Sequence, residues 1–314
     1  MLTVIGEALI DLISAENGTY RPVPGGAPAN TAVALARLGA PVSLLARIGD
    51  DRFGRDLRTY IGSRGVDLRH TVAAPEPTTL AIADIDDTGR AEYSFYVHGT
   101  ANWQWTPEEL PDPLGGDVTA VHAGSLAMAL PPGMSVLEKW LAAQREHVTV
   151  SYDPNIRPAL AGPRGAEVQR IERQGALADV IKVSDEDLDW LYPDRPSEES
   201  LRRWADLGPS LLLLTRGSEE TVAVRAGDPP LLVRRRPLRT EVADTVGAGD
   251  AFGAGVLDAL SQLGALGSAA RPRLAALDEA AVAACLEHAH LVAARTCERP
   301  GADPGELTLP PVRV

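Results

Sequence analysis

The sequence predicts an α/β fold with a mostly parallel central sheet, helices on both of its faces and a small second sheet. Short apolar runs of strand character alternate with segments whose apolar residues recur at helical spacing, a pattern typical of parallel sheets covered by helices. Residues 66–98 depart from the alternation, because two β-rich runs surround Asp86-Asp87-Thr88-Gly89, a hairpin signature. We therefore expect a small sheet that projects from the main layers.

The N-terminal third supplies the first elements in order. "LTVIGEALIDLI" predicts a buried strand that Gly6 and Glu7 interrupt, and the Pro- and Gly-rich "GTYRPVPGGAPAN" predicts a loop. "TAVALARLGA" predicts a helix with Gly39 as its C-cap. "PVSLLARIG" predicts a strand, and "DDRFGRDLRTYIGSRG" predicts a helix that ends at Gly65.

Beyond the hairpin, the alternation resumes. Strands are predicted in "VTAVHAGSL", "VTVSYDPN", "DVIKVS" and "SLLLLTRGS", and helices near "AEVQRIERQGALA", "DEDLDWLY", "AFGAGVLDALSQLGAL" and "AALDEAAVAACLEHAHLVAART". No internal repeat or low-complexity linker marks a boundary. We therefore expect residues 1–314 to form one domain, with lid segments at about residues 12–24 and 72–98 inserted in the α/β core.

Charge and composition narrow the choice of partners. The 314 residues include 30 Lys and Arg against 43 Asp and Glu, for a formal net charge of −13. A surface this acidic repels phosphate backbones and anionic lipid headgroups. We therefore expect a small-molecule substrate and neither a nucleic-acid nor a membrane partner, although a pocket of backbone N–H groups can still bind a small anion.

Cysteine usage and hydrophobicity predict a cytoplasmic protein. Only Cys285 and Cys297 occur, too few for a disulfide framework. The apolar N-terminus carries Glu7 and Asp11 and lacks a basic start, so we expect no signal peptide. No apolar run approaches the roughly 20 residues that span a bilayer.

The stretch "DTVGAGDAFGAGV", residues 244–256, puts Asp250 after small residues at the start of a predicted helix. A helix N-terminus has unpaired N–H groups and the positive end of the helix dipole. Gly247, Ala248 and Gly249 leave those groups open to an anion, as in a phosphate cradle. From this window alone, Asp250 is either a helix N-cap or a catalytic residue.

Two familiar glycine motifs do not fit this stretch. A P-loop requires Lys-Ser or Lys-Thr after its last glycine, and Asp250-Ala251 stands there instead. The dinucleotide fingerprint, started at Gly247, meets Phe252 where it requires a third glycine. A nucleotide-dependent oxidoreductase is therefore disfavoured.

Two long motifs resemble the signatures of the ribokinase-like (PfkB) family of carbohydrate kinases. "DTVGAGDAFGAGV" is similar to the C-terminal signature, and "GGAPANTAVALARLG" with "RIGDDRFGRDL" is similar to the N-terminal one. The resemblance covers nearly the whole chain and implies a ribokinase-like three-layer α/β/α sandwich with a small β-sheet lid. It implies a sugar kinase that uses ATP and Mg²⁺ and, as in some relatives, a monovalent cation such as K⁺.

The resemblance implies that Asp250 is the general base that removes a proton from a sugar hydroxyl. Gly247, Ala248 and Gly249 would form the anion hole for the transferred phosphoryl group. Phosphoryl transfer depends on positioning and electrostatic stabilisation, and a positioned base contributes roughly two to four powers of ten in rate. A degenerate kinase acting as a sugar-binding regulator is disfavoured because both features are present.

The resemblance also assigns the other site residues. The implied sugar contacts are Asp11, Gly25, Gly26, Asn30, Asp153, Asn155 and Arg157. The implied nucleotide contacts are Ser184, Thr215, Gly217 and His290. The resemblance implies that Asp187 binds Mg²⁺ through a water molecule. It implies a separate site for the monovalent cation, formed by Asp244, Val246 and the 299–301 region. Each has a plain alternative, such as a turn, an N-cap or a solvated acidic helix start.

Three segments, "GEALIDL", "GGAPAN" and "DPNIR", favour a ketohexose substrate, with fructose first, phosphorylated at a primary hydroxyl. Phe95-Tyr96-Val97 departs from the "FYR" of many fructokinases. The alternative is 2-keto-3-deoxygluconate, whose carboxylate Arg157 could bind, and ribose or a nucleoside comes third. The apolar lid strands could pair with a second copy and form a homodimer.

Overall fold

A computed structural model describes residues 1–15, 18–85 and 91–313. Its strands are β1 (Leu2–Ile5), β2 (Leu9–Ala15), β3 (Thr19–Gly25), β4 (Val42–Leu45), β5 (Arg47–Gly49), β6 (Val72–Ala74), β7 (Leu80–Ile85), β8 (Ala91–Tyr96), β9 (Ala120–Gly124), β10 (Thr149–Asp153), β11 (Val180–Ser184), β12 (Leu211–Thr215), β13 (Thr221–Arg225) and β14 (Leu231–Arg235). Its α-helices are α1 (Ala27–Arg37), α2 (Arg52–Gly62), α3 (Gly133–Gln144), α4 (Arg164–Gly175), α5 (Asp185–Leu191), α6 (Ser197–Trp204), α7 (Ala248–Gln262), α8 (Arg271–Ala275) and α9 (Glu279–Cys297). The predicted hairpin turn, residues 86–89, lies outside the described residues.

The large sheet runs in the order β14-β13-β12-β11-β10-β9-β1-β4 within the described part of the chain. Neighbouring strands from β4 to β12 pair in parallel. β13 pairs antiparallel with both β12 and the edge strand β14. The predicted mostly parallel central sheet is therefore confirmed.

Helices cover both faces of this sheet because its strands are apolar on both sides. Val4 and Val180 belong to the core cluster that includes residues of α1, α7 and α9. Their chain neighbours Ile5 and Ile181 belong to the second cluster, with residues of α3, α5 and α6. Successive strand residues thus face opposite helical layers, which makes the core a three-layer sandwich. None of the helices in the described ranges is long and apolar enough to cross a bilayer.

The small sheet has the order β3-β2-β7-β8. β2 pairs antiparallel with β3 and parallel with β7, and β7 pairs antiparallel with β8. β6, which begins the predicted lid segment 72–98, pairs instead with β5 in a separate two-stranded sheet.

One local prediction near the N-terminus was wrong. The loop expected over "GTYRPVPGG" contains β3, an edge strand that accommodates Pro22 and Pro24 because half of the N–H groups of an edge strand need no partner. The interruption predicted at Gly6 and Glu7 in "LTVIGEALIDLI" is present, and it divides this segment between the two sheets. Gly6 lies at the division with a φ of 155°, and a Cβ there would be 2.2 Å from Pro28 Cγ, so only glycine fits.

Close packing of α7 against α9 leads to a stability prediction. A Cβ added at Gly255 would lie 2.6 Å from Ala289 Cα, whereas one at Gly253 would meet no atom within 4 Å. We expect Gly255→Ala to lower the free energy of unfolding by about 1–3 kcal/mol through overpacking. The control Gly253→Ala should raise it by up to about 1 kcal/mol, because alanine is the better helix former. Urea unfolding measures both, and equal effects would contradict the close approach.

Candidate active site

Asp250 lies in the first turn of α7, and Gly247 is the N-cap residue. Gly247 has a left-handed φ of 76°, and a Cβ there would lie 2.4 Å from Ala302 Cβ, so both backbone and space require glycine. The structure therefore excludes the alternative that Asp250 is the N-cap.

The N–H groups at this helix start are only partly used. The N–H of Ala248 donates to the Thr245 carbonyl at 3.2 Å. Those of Gly247 and Gly249 have no hydrogen-bond partner among the described residues. Open N–H groups at the positive end of a helix dipole are suited to bind an anion. Two of the three predicted donors are thus free for that role.

Asn30 connects the N-terminal motif to Asp250. It lies inside α1, whose N-cap is Gly26, so it is not an N-cap either. Its Nδ2 donates to Asp250 Oδ2 at 2.9 Å, across a sequence separation of 220 residues. Burial raises the pKa of the Asp250 carboxyl, and this hydrogen bond and the Lys182 ammonium oppose the increase. One carboxyl oxygen is thereby held, and Oδ1 has no partner in the described part of the chain.

Asp11 and two glycines form the side of the site nearest the small sheet. A Cβ at Gly25 would lie 2.1 Å from Asp11 Oδ2, and one at Gly26 would lie 2.6 Å from the Glu7 carbonyl. The glycines therefore let backbone and carboxylate approach closely. Burial raises the pKa of Asp11 to about 6, and the positive charge of Arg157 opposes the increase.

Arg157 follows the end of β10, and its positive charge acts on these carboxylates. Its Nη1 donates to Asn155 Oδ1 at 2.6 Å, and Asn155 has a left-handed φ of 40°. The positive charge of Arg157 lowers the pKa of both Asp11 and Asp250. The structure thus brings Asp11, Asn30, Arg157 and the expected base together.

Asp153 differs from the other predicted sugar contacts because its carboxylate is buried. Its side chain is 8% exposed, and Oδ2 accepts a hydrogen bond from Lys182 Nζ at 2.8 Å. Its sugar contact stays a prediction.

The predicted nucleotide residues near β11 and β12 lie along one edge of the large sheet. Ser184 and Thr215 are paired in register at the carboxyl ends of adjacent parallel strands, the edge where open α/β sheets bind ligands. Gly217 follows with a left-handed φ of 54°. Ser184 also caps α5, because its hydroxyl accepts a hydrogen bond from the N–H of Asp187 at 3.1 Å.

His290 lies in the interior. It is 4% exposed, its Nε2 shares a hydrogen bond of 2.9 Å with Thr221 Oγ1, and its ring centroid is 5.4 Å from that of Phe252. Burial lowers the pKa of His290 to about 4, which keeps it neutral at physiological pH. These contacts describe a packed core residue, and its nucleotide contact stays a prediction.

The predicted cation residues have backbone partners. Asp187 is buried, and its Oδ1 accepts the Ile156 N–H at 2.9 Å. Asp244 accepts the N–H groups of Val246 at 3.0 Å and Gly301 at 2.8 Å, which ties the loop before α7 to the 299–301 region. No group of three His, Cys, Asp or Glu suited to a metal ion occurs among the described residues. Mg²⁺ held mainly by phosphates and water needs no such cage, so one acidic residue is compatible with it.

Sequence reasoning assigned no role to two charged residues near the site, Glu7 and Lys182. Lys182 lies under the N-terminus of α7. Glu7 is 1% exposed, and its Oε2 accepts a hydrogen bond from the N–H of Ala127 at 3.1 Å. Burial raises the pKa of Glu7. Each had a visible signal, because a charged residue that interrupts an apolar strand is costly to bury unless it is paired.

The motif geometry agrees with comparisons with known proteins. The family model for pfkB family carbohydrate kinases matches residues 1–308. The chain belongs to this family. A fructokinase of Rhizobium leguminosarum bv. trifolii is 36% identical over 287 residues, covering 90% of this chain and 85% of the relative. A Klebsiella pneumoniae fructokinase is also 36% identical, over 83% of this chain and 84% of that one.

Solved kinase structures share the fold of this pfkB family member. The ATP-bound fructokinase of Xylella fastidiosa has a TM-score of 0.87 and 30% identity, covering 96% of this chain and 94% of its own. The fructokinase of Vibrio cholerae O395 with fructose, ADP and calcium has a TM-score of 0.80 and 28% identity, with 96% and 94% covered. The aminoimidazole riboside kinase of Salmonella enterica has a TM-score of 0.80 and 27% identity, with 96% and 95% covered. The predicted ribokinase-like fold and carbohydrate kinase family are confirmed.

The raised pKa of Asp11 leads to a pH-dependent stability prediction. Burial raises this pKa from 3.8 to about 6, so the contribution of Asp11 to stability is present below pH 3.8 and is lost as the pH rises through 6. Asp11→Asn cannot ionise, and we expect it to raise the urea midpoint at pH 7.5 and to raise it much less at pH 4. The control Asp194→Asn, at an exposed position, should show no such difference. Equal gains for Asp11→Asn at both pH values would contradict the assignment.

Proposed function

We propose that the protein is an ATP-dependent fructokinase that phosphorylates a primary hydroxyl of fructose. One observation carries the proposal: Asn30 holds the Asp250 carboxylate at 2.9 Å beside open N–H groups at the N-terminus of α7. A base and an anion-binding site therefore share one helix turn. Phosphoryl transfer from ATP to an alcohol needs this combination.

The proposed reaction uses the residues as follows. Asp250 takes the proton of the acceptor hydroxyl, whose oxygen attacks the γ-phosphorus of ATP. The bond to the bridging oxygen breaks, and its electron pair leaves with ADP. The N–H groups of Gly247 and Gly249 stabilise the negative charge on the phosphoryl oxygens in transit. When bound, Mg²⁺ would neutralise the phosphates of the nucleotide, with Asp187 the candidate to hold one of its waters.

The charges of the site favour a neutral sugar over a sugar acid. Glu7, Asp11 and Asp250 are carboxyls within the electrostatic reach of Arg157. The carboxylate of 2-keto-3-deoxygluconate would add a further negative charge next to Asp11 and Asp250, which raises the cost of binding it. Hydroxyl groups, in contrast, can donate hydrogen bonds to Asp11. Similarity to several fructokinases supports the same choice.

Other proposals concern the surroundings of this site. K⁺ near Asp244 and Val246, a homodimer formed through the small sheet and a cytoplasmic location all stay predictions. The small sheet has an exposed Tyr96, 58% accessible, on its edge strand β8, which is compatible with a partner there.

The substrate is tested by measuring ADP release with ATP and Mg²⁺ over a panel of fructose, 2-keto-3-deoxygluconate, ribose and adenosine. We expect fructose to have the highest kcat/KM, because it is neutral and its hydroxyls match the carboxylate acceptors. Turnover of the sugar acid alone would contradict the fructose assignment. A preference for adenosine would instead agree with the likeness to a riboside kinase.

The role of Asp250 is tested with Asp250→Asn, which keeps the shape and the contact to Asn30 but removes the base. We expect kcat to fall by about 10²–10⁴-fold while KM for the sugar changes little. The matched control Asp206→Asn, at an exposed position, should keep the wild-type kcat. A variant at position 250 with more than a tenth of the wild-type kcat would exclude Asp250 as the base.

A further inference from the structure

One of only two lysines in the chain lies beneath the proposed catalytic turn. Among 30 basic residues, only Lys139 and Lys182 are lysines. Lys139 is exposed on α3, whereas the Lys182 side chain is 9% exposed. Burying an ammonium ion is costly unless it is paired. Because water does not solvate the Lys182 ammonium, a partner within the protein must stabilise it.

Lys182 and Asp153 form a buried ion pair across two adjacent strands. Tyr152 of β10 is in register with Ile181 of β11, and the two charged residues follow at the next position of each strand. Nζ donates to Asp153 Oδ2 at 2.8 Å. The other oxygen, Asp153 Oδ1, is buried and has no hydrogen-bond partner within the described residues. The pair is therefore compact and incompletely satisfied.

The ammonium group lies directly against the turn that carries the proposed base. A Cβ added at Gly249 would lie 3.1 Å from Lys182 Nζ. Gly249 thus provides both a free N–H and the space for the lysine. A positive charge at this place favours the ionised carboxylate of Asp250 and negative charge gathering at the turn.

We propose that Lys182 is a positioning residue for phosphoryl transfer, whose ammonium, held by Asp153, supports the 247–250 turn and stabilises negative charge on the Asp250 carboxylate. This inference rests on the proposed function of Asp250 as the base. It extends that function by assigning a role to a strand residue outside both kinase motifs.

The charged neighbours of Asp250 shift its pKa in opposite directions. Lys182 and Arg157 lower its pKa, and Asp153 raises it. Around the lysine, Asp153, Asp250 and Asp187 favour the charged ammonium. His122 of β9 hydrogen-bonds Ser151 at 3.0 Å, and burial lowers its pKa to about 4, so it contributes no charge near neutral pH. Removing Lys182 therefore raises the pKa of Asp250, and removing the Asp153 charge lowers it.

The test compares the pH dependence of kcat/KM for sugar phosphorylation in the wild type, Asp153→Asn and the double variant Asp153→Asn/Lys182→Met. Relative to wild type, Asp153→Asn should shift the acidic limb to lower pH. Relative to Asp153→Asn, the double variant should shift it to higher pH by about one unit, because it loses the ammonium without leaving a buried unpaired carboxylate. Lys182→Met alone should shift the acidic limb to higher pH. If this single variant does not fold, the double variant tests the same effect. Lys139→Met is the matched control and should leave the profile unchanged.

If Lys182 had only a structural role, its loss would lower stability, but the acidic limbs of Asp153→Asn and the double variant would lie at the same pH. Coincident acidic limbs in Asp153→Asn and the double variant, with both folded, would overturn the inference and leave the proposed function standing. A wild type inactive toward every sugar would overturn both. NMR of protein labelled at lysine gives two side-chain signals, and the Lys182 signal should report a charged ammonium at pH 7.5. A Lys182 signal that reports a neutral amine at pH 7.5 would also exclude the role.

Discussion

The hydrogen bond from Asn30 to Asp250 is the contact on which the site depends. It joins α1 to the first turn of α7, and it is made by residues near opposite ends of the chain. The large sheet makes the contact possible, because α1 and α7 pack into the same core cluster on one of its faces. Glycines at 26 and 247 begin the two helices with positive φ, and a side chain there would collide with the Glu7 carbonyl or with Ala302, respectively.

The site combines local positive charge with several carboxyls inside an acidic protein. The chain carries a formal net charge of −13, yet the open N–H groups and the Lys182 ammonium, held by Asp153, place positive charge at one helix turn. Such a local arrangement can bind phosphate despite an acidic surface, because preorganised dipoles in a partly desolvated site act more strongly than distant, screened charges. The carboxyls at the same place are costly to ionise, which is the usual condition of groups kept for chemistry rather than for stability.

The division of the N-terminal segment between two sheets links the sugar side of the site to the core. β1 lies in the large sheet and β2 in the small one, so Asp11 is carried on the small sheet while Asp250 is carried on a helix of the sandwich. The position of Asp11 relative to the base therefore depends on where the small sheet is held relative to the large one. Within the small sheet, Gly25 leaves room for the Asp11 carboxylate, because a side chain there would overlap it.

The sequence by itself determined the fold class, most of the strands and helices, and the family, because apolar periodicity and glycine motifs are local signals. It also marked Asp250 as a residue of interest. Only the structure showed that Gly247, and not Asp250, is the N-cap, and the role of Asp250 as the base stays a proposal. Only the tertiary structure decided that Thr19–Gly25 is a strand, since the antiparallel partner β2 supplies the pairing that prolines obscure in the sequence. Only the structure revealed the Lys182–Asp153 pair and the interior position of His290. The physical reason is that burial and ion pairing arise between segments distant in the chain, where sequence spacing carries no distance information.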